Sequence, residues 1–500
     1  MKNNQGTGQA AKEQSQKVTF NIDREKNFSE WFTEIIKTAE LADLRYNIKG
    51  FIVFQPWAVL AMEAMYNCLE KALQKKGHSP YWFPVLIPEK NFFIEKEHVE
   101  GFSPSVFWAT EHGAGEKLEE KLALRPTSET AFYQMFALWI RSYKDLPFKT
   151  YQRAQVFRYE TKATRPFLRG REFYWIEAHC AFATREEAEK QVLEDMETTK
   201  ETMHDVFGIP FIFFERPQWD KFAGAENTYA ADAISPDGRI VQQPSTHMLG
   251  QNFSTPFDVK FTDSKGEEKF CYLTCYGPAI SRIFASVVIT HGDNKGLKFP
   301  FEIAPMQIVI VPIAFDKNKK VLEKTAELKA MLANEGYRVG IDSKEGMPGE
   351  KFYFWEMKGV PLRIELGPKE LEQKKLTVFR RDTAEKKTIA EKELPDFIKK
   401  TGKEISQNLI KKADRIFEGL IRDASSHEEI SKVLENRGIA RANFCSTGLE
   451  GAKCAETIEK DFSATVRGTR VDKKEPPFGN KKCAICGKPA TKVVYIAKQY

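Results

Sequence analysis

Phe157-Arg158-Tyr159-Glu160, then a polar stretch from Thr161 to Gly170, then Arg171-Glu172-Phe173-Tyr174-Trp175-Ile176-Glu177-Ala178-His179 form the core of a run from Lys149 to Phe182 that is otherwise aromatic, β-branched or Arg-rich. Two such runs around a polar centre predict a long antiparallel hairpin. Working outward, the spacing predicts a helix from about Arg185 to Phe207. Upstream, apolar residues recur at helical intervals over Asn27 to Leu41 and Trp57 to Lys75, and Gly77 with the extended stretch Tyr81 to Val85 closes the second helix into a strand ending at Pro84. Downstream, residues 240 to 300 read as strands followed by a helix near Ser281 to His291. From Ile308 the pattern changes to strand Ile308 to Ile313, helix Lys319 to Glu335, strand Tyr337 to Ile341, helix Lys351 to Lys358, and strands Pro361 to Leu366 and Thr377 to Arg381. That alternation predicts a small α/β unit. A charged helical stretch from Pro395 to about Arg422 leads into a cysteine-bearing tail.

With 500 residues, 42% hydrophobic and 29% charged, the chain can bury several cores, which excludes wholly disordered, collagenous and disulfide-scaffold classes. No apolar run reaches the roughly 18 to 20 residues of a membrane span, and Met1 to Val18 lacks the apolar centre of a signal peptide, so a cytoplasmic protein without membrane attachment is expected. Lys plus Arg number 76 against 70 Asp plus Glu, a net charge of +6 that permits nucleic acid without demanding it. Residues 1–20, rich in Gln, Asn, Lys and Gly, predict a flexible tail. Of the eight cysteines, Cys445, Cys454, Cys483 and Cys486 crowd the C-terminal end. Cys483-x-x-Cys486-Gly487 is half of a zinc site, because two thiolates two residues apart wrap one tetrahedral ion and Gly permits the tight turn. Cys445 and Cys454 would complete four sulfurs, leaving no open position and making the zinc structural.

Three local patterns stand in fixed order: the helix and strand ending at Pro84, Arg158-x-Glu160 with Arg169, Arg171 and Phe173 after the polar loop, and Gly277-Pro278-Ala279-Ile280-Ser281-Arg282 opening a helix. Alone, an Arg-x-Glu pair on a strand is commonly a surface ion pair. Together the three resemble motifs one, two and three of class II aminoacyl-tRNA synthetases. The resemblance implies an α+β fold: an antiparallel-sheet catalytic domain, then an α/β anticodon-binding domain and a C-terminal α/β zinc-binding domain. It sets expected boundaries at 21–300, 301–410 and 411–500. Activating an amino acid with ATP gathers negative charge on phosphoryl oxygens, which guanidinium groups suit because they stay charged and donate in a planar fork. By the resemblance, Arg158 would hold the α-phosphate and the amino-acid carboxylate, and Arg282 the far phosphate. Arg169 and Gln242 would also reach the nucleotide, while Glu160 accepts from the adenine amino group and Phe173 stacks on its ring. Mg2+ would bridge the phosphates.

Arg125-Pro126-Thr127-Ser128-Glu129, then Trp175, Glu177 and His179, then Lys221-Phe222-Ala223-Gly224-Ala225, and finally Ser245, Thr246 and His247 before Leu249-Gly250-Gln251-Asn252-Phe253 resemble the amino-acid pocket of prolyl-tRNA synthetases. In that resemblance Thr127 and Glu129 hold the secondary amine, and Trp175, Glu177, His179, Ala223, Gly224, Ser245 and His247 wall the ring site, with Ser245 also near ATP. A lone buried His179 or His247 would otherwise read as structural. Only about a hundred residues separate Glu177 from Tyr276, too few for the editing insertion of bacterial-type members, and the C-terminal extension points to the archaeal and eukaryotic type. In that type a terminal Tyr, here Tyr500, directs its carboxylate towards the active site. The chain departs from the usual pattern with an apparent extra residue before Arg282 and with Met248 where a second His is common. The α/β unit resembles the family's anticodon-binding domain, with Glu356 and Arg363 as candidate base contacts. The implied substrates and partners are L-proline, ATP, tRNA(Pro) and a second copy in a homodimer. A class II synthetase for another small amino acid, a catalytically inactive tRNA-binding paralogue and a zinc-ribbon nucleic-acid binder are the alternatives.

Overall fold

The structure, a computed structural model, describes residues 20, 22–94, 105–160 and 163–500. Save for Phe20, the tail expected over residues 1–20 lies outside them. Helix α1 (Phe28–Thr38) buries Trp31, Phe32, Ile35 and Ile36. Helix α2 (Pro56–Lys75) starts with Pro at its first turn, where no N–H is missed, and buries Ala58, Ala61, Met62, Met65, Leu69 and Leu73 at helical spacing. The strand expected to run to Pro84 is shorter: only β1 (Ser79–Pro80) pairs, in parallel with the next strand. Tyr81 makes one further bond, N–H to the Tyr151 carbonyl at 2.8 Å. Pro80 and Pro84 carry no N–H, so the ladder has few donors to continue with.

Helix α3 (Glu129–Trp139) precedes the hairpin of β2 (Phe148–Phe157) and β3 (Glu172–Phe182), which pair in antiparallel register from Phe148↔Ala181 to Phe157↔Glu172. Helix α4 (Arg185–Thr199) is capped by the reciprocal Thr184–Glu187 box and continues as a π turn, Lys200–His204. Strands β4 (Ile212–Glu215), β5 (Asn227–Ile234), β6 (Arg239–Gly250) and β7 (Tyr272–Gly277) follow, then helix α5 (Ile280–His291), apolar and buried nearly all round, as a helix enclosed in a core must be.

A second, five-stranded sheet holds β8 (Ile308–Pro312), β9 (Val339–Ile341), β10 (Leu362–Leu366), β11 (Lys375–Arg380) and β12 (Lys386–Ala390) in the order β9-β8-β10-β11-β12. Helices α6 (Lys320–Asn334) and α7 (Pro348–Met357) make the crossovers. Both β8 and β10 are buried along their whole length, the pattern of parallel strands covered on two faces. Arg381 ties this unit to the first through a two-pronged pair with Asp293 at 2.6 and 3.0 Å.

Helix α8 (Leu394–Glu418) leads to β13 (Ile421–Ala424), helix α9 (His427–Glu435), β14 (Ile439–Phe444), helix α10 (Ala452–Phe462), β15 (Thr465–Arg470) and β16 (Lys492–Gln499). These last strands do not stand apart. They extend the first sheet into an 11-stranded one, in the order β13-β14-β16-β15-β4-β5-β6-β7-β3-β2-β1, with β16 also beside the start of β6. At the joint, Gly468 has φ +116°, and a Cβ there would lie 1.9 Å from the Glu215 carbonyl oxygen, so only Gly lets β15 lie against β4.

Candidate active site

A cavity of about 230 Å³ opens over the middle of the large sheet. Alternation on β3 sends Phe173, Trp175, Glu177 and His179 to this one face. On β6, Ser245 and His247 face it by the same rule, but Gln242 is out of phase with them. The register resolves this: Ala230↔Ser245 is followed by Asp232↔Gln242, so two residues of β5 oppose three of β6, and the bulge at Gln243-Pro244 turns Gln242 back to the cavity. Thr127 and Glu129 come from the start of α3, Arg158 from the end of β2 and Arg282 from the first turn of α5, and all line the same space. Of the expected set, Ala223 and Gly224 stay behind the wall. Their neighbours Lys221 and Phe222 line it, while the Gly224 carbonyl accepts from Asn252 at 2.9 Å.

The amino-acid end is tightly organised. Thr127 Oγ1 donates to Glu129 Oε2 at 2.6 Å, Tyr133 Oη meets His179 Nδ1 at 3.0 Å, and His247 lies between Thr228 and Ser245 at 2.9 and 3.1 Å. Burial lowers the His247 imidazole to about 4, so it is neutral at physiological pH. Trp175 Nε1 and Glu177 Oε1 are buried with no hydrogen-bond partner in the protein. A donor and an acceptor left bare on one cavity wall call for a polar ligand.

The other end is cationic. Arg158 Nε donates to the Pro126 carbonyl at 2.9 Å, and its guanidinium lies 5.2 Å from the Phe173 ring centre and 5.6 Å from that of Trp175. Arg282 is lowered to about 10, by burial first and then by Arg158 and Arg169, and so remains charged. Arg158, Glu160, Arg169, Phe173, Ser281 and Arg282 line a connected recess of about 80 Å³, where Ser281 Oγ is buried without a partner. Arginines crowded against one another in a closed space are stabilised by a polyanion.

Residues 107–291 match the tRNA synthetase class II core domain (G, H, P, S and T), residues 307–401 the anticodon binding domain, and residues 427–500 the C-terminal domain of prolyl-tRNA synthetase. The chain is 50% identical to a proline–tRNA ligase of Thermofilum pendens over 483 residues, 96% of this chain and 98% of the relative, and 45% identical to one of Methanopyrus kandleri, covering 95% and 96%. The chain belongs to the proline–tRNA ligase family. The solved structure of Giardia lamblia prolyl-tRNA synthetase in complex with prolyl-adenylate superposes with a TM-score of 0.92 at 36% identity, over 96% of this chain and 100% of that one. As a member of this family the chain is a class II synthetase and a ligase.

Reading the sequence of this synthetase missed a buried triad on the cavity wall. Asp232 on β5 accepts from Arg216 at 2.8 and 2.9 Å and from Arg467 at 2.8 and 3.2 Å, and Arg216 also donates to the Arg467 carbonyl at 2.8 Å. Arg467 lies on β15, so the C-terminal strands supply a side chain to the cavity. Its Nη1 also meets Gln499 Oε1 at 2.9 Å. One residue further, the terminal main-chain oxygen of Tyr500 accepts from Arg169, and the Tyr500 hydroxyl reaches Asp237 at 2.9 and 3.0 Å. No local pattern marks these pairings, because the Arg467 and Tyr500 contacts to Asp232, Arg216, Arg169 and Asp237 join segments more than two hundred positions apart.

The four C-terminal thiols meet, with their sulfurs all within 4.8 Å of one another. The Cys445–Cys454 pair stands at 3.7 Å, close to the edge of about 3.8 Å that Zn–S bonds of about 2.3 Å imply. Cys483 and Cys486 sit on a tight turn in which Gly487, at φ 71°, donates to the Cys483 carbonyl. This donor set fits one tetrahedral metal ion. Arg363 is placed differently from expectation. It is 2% exposed, bonded to Glu356 at 3.1 Å and Glu365 at 2.9 and 3.1 Å, and stacked near Phe352 and Phe379. A guanidinium enclosed in this way serves the core of its own unit rather than an RNA base.

Proposed function

We propose that this cavity joins L-proline to ATP and passes the product to tRNA(Pro). A proline carboxylate oxygen attacks the α-phosphorus, the bond to the β-phosphate breaks, and prolyl-adenylate forms as diphosphate leaves. The terminal ribose hydroxyl of the tRNA then attacks the prolyl carbonyl and AMP leaves. Glu129, oriented by Thr127, accepts from the secondary ammonium, and Trp175, His179, Ser245 and the neutral His247 enclose the ring. Arg158 bridges carboxylate and α-phosphate, while Arg169 and Arg282 hold the leaving phosphates, whose growing charge is stabilised by donors already in place. Glu160, Phe173 and Gln242 orient the nucleotide. Mg2+ bound with ATP would spread the phosphate charge further. The observation that carries this reading is the pairing of a bare acceptor and donor, Glu177 and Trp175, with a cluster of arginines in one cavity.

Residues 21–300 would form the catalytic domain, 301–410 the anticodon-binding domain and 411–500 the C-terminal domain, where Cys445, Cys454, Cys483 and Cys486 hold a structural Zn2+ that cross-links the fold. Val59 and Leu60 on α2, together with Trp82, are exposed apolar groups that support a homodimer. No helix among the described residues is long and apolar enough to cross a membrane, and action in the cytoplasm suits a translation enzyme. Amino-acid-dependent pyrophosphate exchange across all twenty amino acids tests the assignment. Strong exchange with proline supports it, whereas exchange led by another amino acid, or none at all, overturns it. Elemental analysis of metal-replete protein tests the zinc.

A further inference from the structure

Behind the amino-acid end of the cavity, three donors of different chemistry converge. Glu129 opens α3, His179 lies on β3 and Cys275 lies on β7, and a carboxylate oxygen, a ring nitrogen and a sulfur from these three all lie within 4.8 Å of one another. His179 and Cys275 are direct cross-strand partners, which fixes their spacing through the sheet itself. All three are nearly inaccessible from outside, at 2%, 1% and 5% exposure, yet all three line the cavity.

We propose that this trio is a binding site for a thiophilic divalent cation such as Zn2+, and that the ion and the amino-acid substrate exclude one another. The inference rests on the cavity being the proline site. The donor types are those zinc prefers, and bonds of about 2.0 to 2.3 Å require ligand atoms about 3.5 Å apart, within reach of small side-chain rotations from the observed spacing. The histidine already has the support that ligating imidazoles carry. Tyr133, one helical turn beyond Glu129 on α3, holds Nδ1 at 3.0 Å and leaves Nε2 towards the interior. A separate observation points the same way: Glu177, 2% exposed, faces His179 Nε2 with one oxygen at 3.4 Å and keeps its other oxygen buried without a partner. That oxygen can accept from a water bound to the ion. Against the ion stand Arg158, Arg216, Lys221, Arg282 and Arg467, which line the same cavity. Facing them are two carboxylates and the thiolate formed when Cys275 releases its proton to solvent. Glu129 cannot serve a zinc ion and the proline ammonium at once, so occupation by one removes the other.

The test uses the full chain with its C-terminal thiols saturated with zinc, in buffer free of phosphate and diphosphate, which would themselves chelate the metal. Equilibrium dialysis followed by elemental analysis should find two zinc ions per chain. It should find one in the presence of saturating proline, and one in Cys275→Ala and Cys275→Ser. Calorimetric titration with proline should show its apparent Kd rising about elevenfold when free zinc is ten times its own Kd, as mass action requires for exclusive ligands. A single zinc ion in the wild type, a second ion indifferent to proline, or a second ion that survives both Cys275 substitutions overturns the site. The wild-type competition stands even if a variant does not fold. Absence of proline binding without zinc would instead refute the substrate assignment, leaving the stoichiometry of the Cys275 variants to decide on the metal.

Discussion

Arg158 and Arg363 have the same local signature, an arginine at or on a strand with a glutamate two residues on. The structure gives them opposite surroundings. Arg363 is enclosed by Glu356 and Glu365 and flanked by two phenyl rings, and nothing is left for a ligand. Arg158 donates to a backbone carbonyl, lies over two aromatic rings and lines a cavity that Arg169 and Arg282 approach from the far side. The same residue spacing therefore supports a core in one unit and a cavity wall in the other. What separates them is the strand or helix that comes to face the arginine, which for Arg363 is α7 carrying Glu356 and for Arg158 is the cavity built by β3, β6 and α5.

The sharpest way to break this contrast is to remove both guanidinium groups in turn. Arg363→Ala leaves two largely buried carboxylates short of a partner, a change that typically costs about 3–5 kcal/mol. The first unfolding transition of the full chain in denaturant should fall accordingly, while proline-dependent exchange by the folded protein stays near that of wild type. Arg158→Ala should do the reverse. Losing one donor to a developing oxyanion costs on the order of a hundredfold to a thousandfold in rate, so exchange collapses while the unfolding transition moves little. If both variants lost stability and kept activity, the distinction between the two arginines would be void.

Much of this was legible before any coordinates, and the reason is local chemistry. The β2–β3 hairpin shows in its aromatic and β-branched alternation, α2 in its spacing and its N-terminal Pro56, and the cysteine cluster in Cys483-x-x-Cys486-Gly487. What was not legible depends on contacts across long stretches of chain. Asp232 and Arg467 lie on β5 and β15 and Arg216 just past the end of β4, and their ion pairs span up to 235 positions. The joining of β15 to β4 has one trace in the sequence, Gly468, whose meaning appears only once Glu215 is seen against it. Gln242 was reached only through the family resemblance: it faces the cavity because of a bulge, where strict alternation would have turned it away.

Arg169 lies between the two cases, since it borders the arginine-lined recess and also donates to the main-chain oxygen of Tyr500. A charge-assisted bond of this kind contributes about 1.5–3 kcal/mol. Deleting Tyr500 should free Arg169 to wander, lowering adenylate formation on the order of tenfold while tRNA affinity changes little. A filter-binding assay beside pyrophosphate exchange separates the two effects. Equal exchange by the truncated chain would show that Arg169 keeps its place without the Tyr500 contact.

The last expected outcome concerns what the cavity fails to reject. On the proposed assignment its walls, from Trp175 to His247, exclude anything bulkier than proline by overlap, but a smaller amino acid such as alanine or cysteine meets no clash. Each missing methylene is worth only about 1–3 kcal/mol of discrimination, and synthetases facing this limit add a second, hydrolytic site. Bacterial-type relatives place one between motifs two and three. Here the segment between Glu177 and Tyr276 is described throughout and is taken up by the rest of β3, by α4, and by β4, β5 and β6 with a short hairpin of Lys260–Thr262 and Glu268–Phe270, which leaves no separate lobe. Alanine and cysteine should therefore support measurable exchange, weaker than proline by roughly one to two powers of ten for each methylene lost. Alanyl-tRNA bearing the proline anticodon should deacylate in the presence of the enzyme no faster than it does spontaneously. Deacylation well above that background would show that a hydrolytic site exists in this chain, and the arginine-lined cavity would be the first place to seek it.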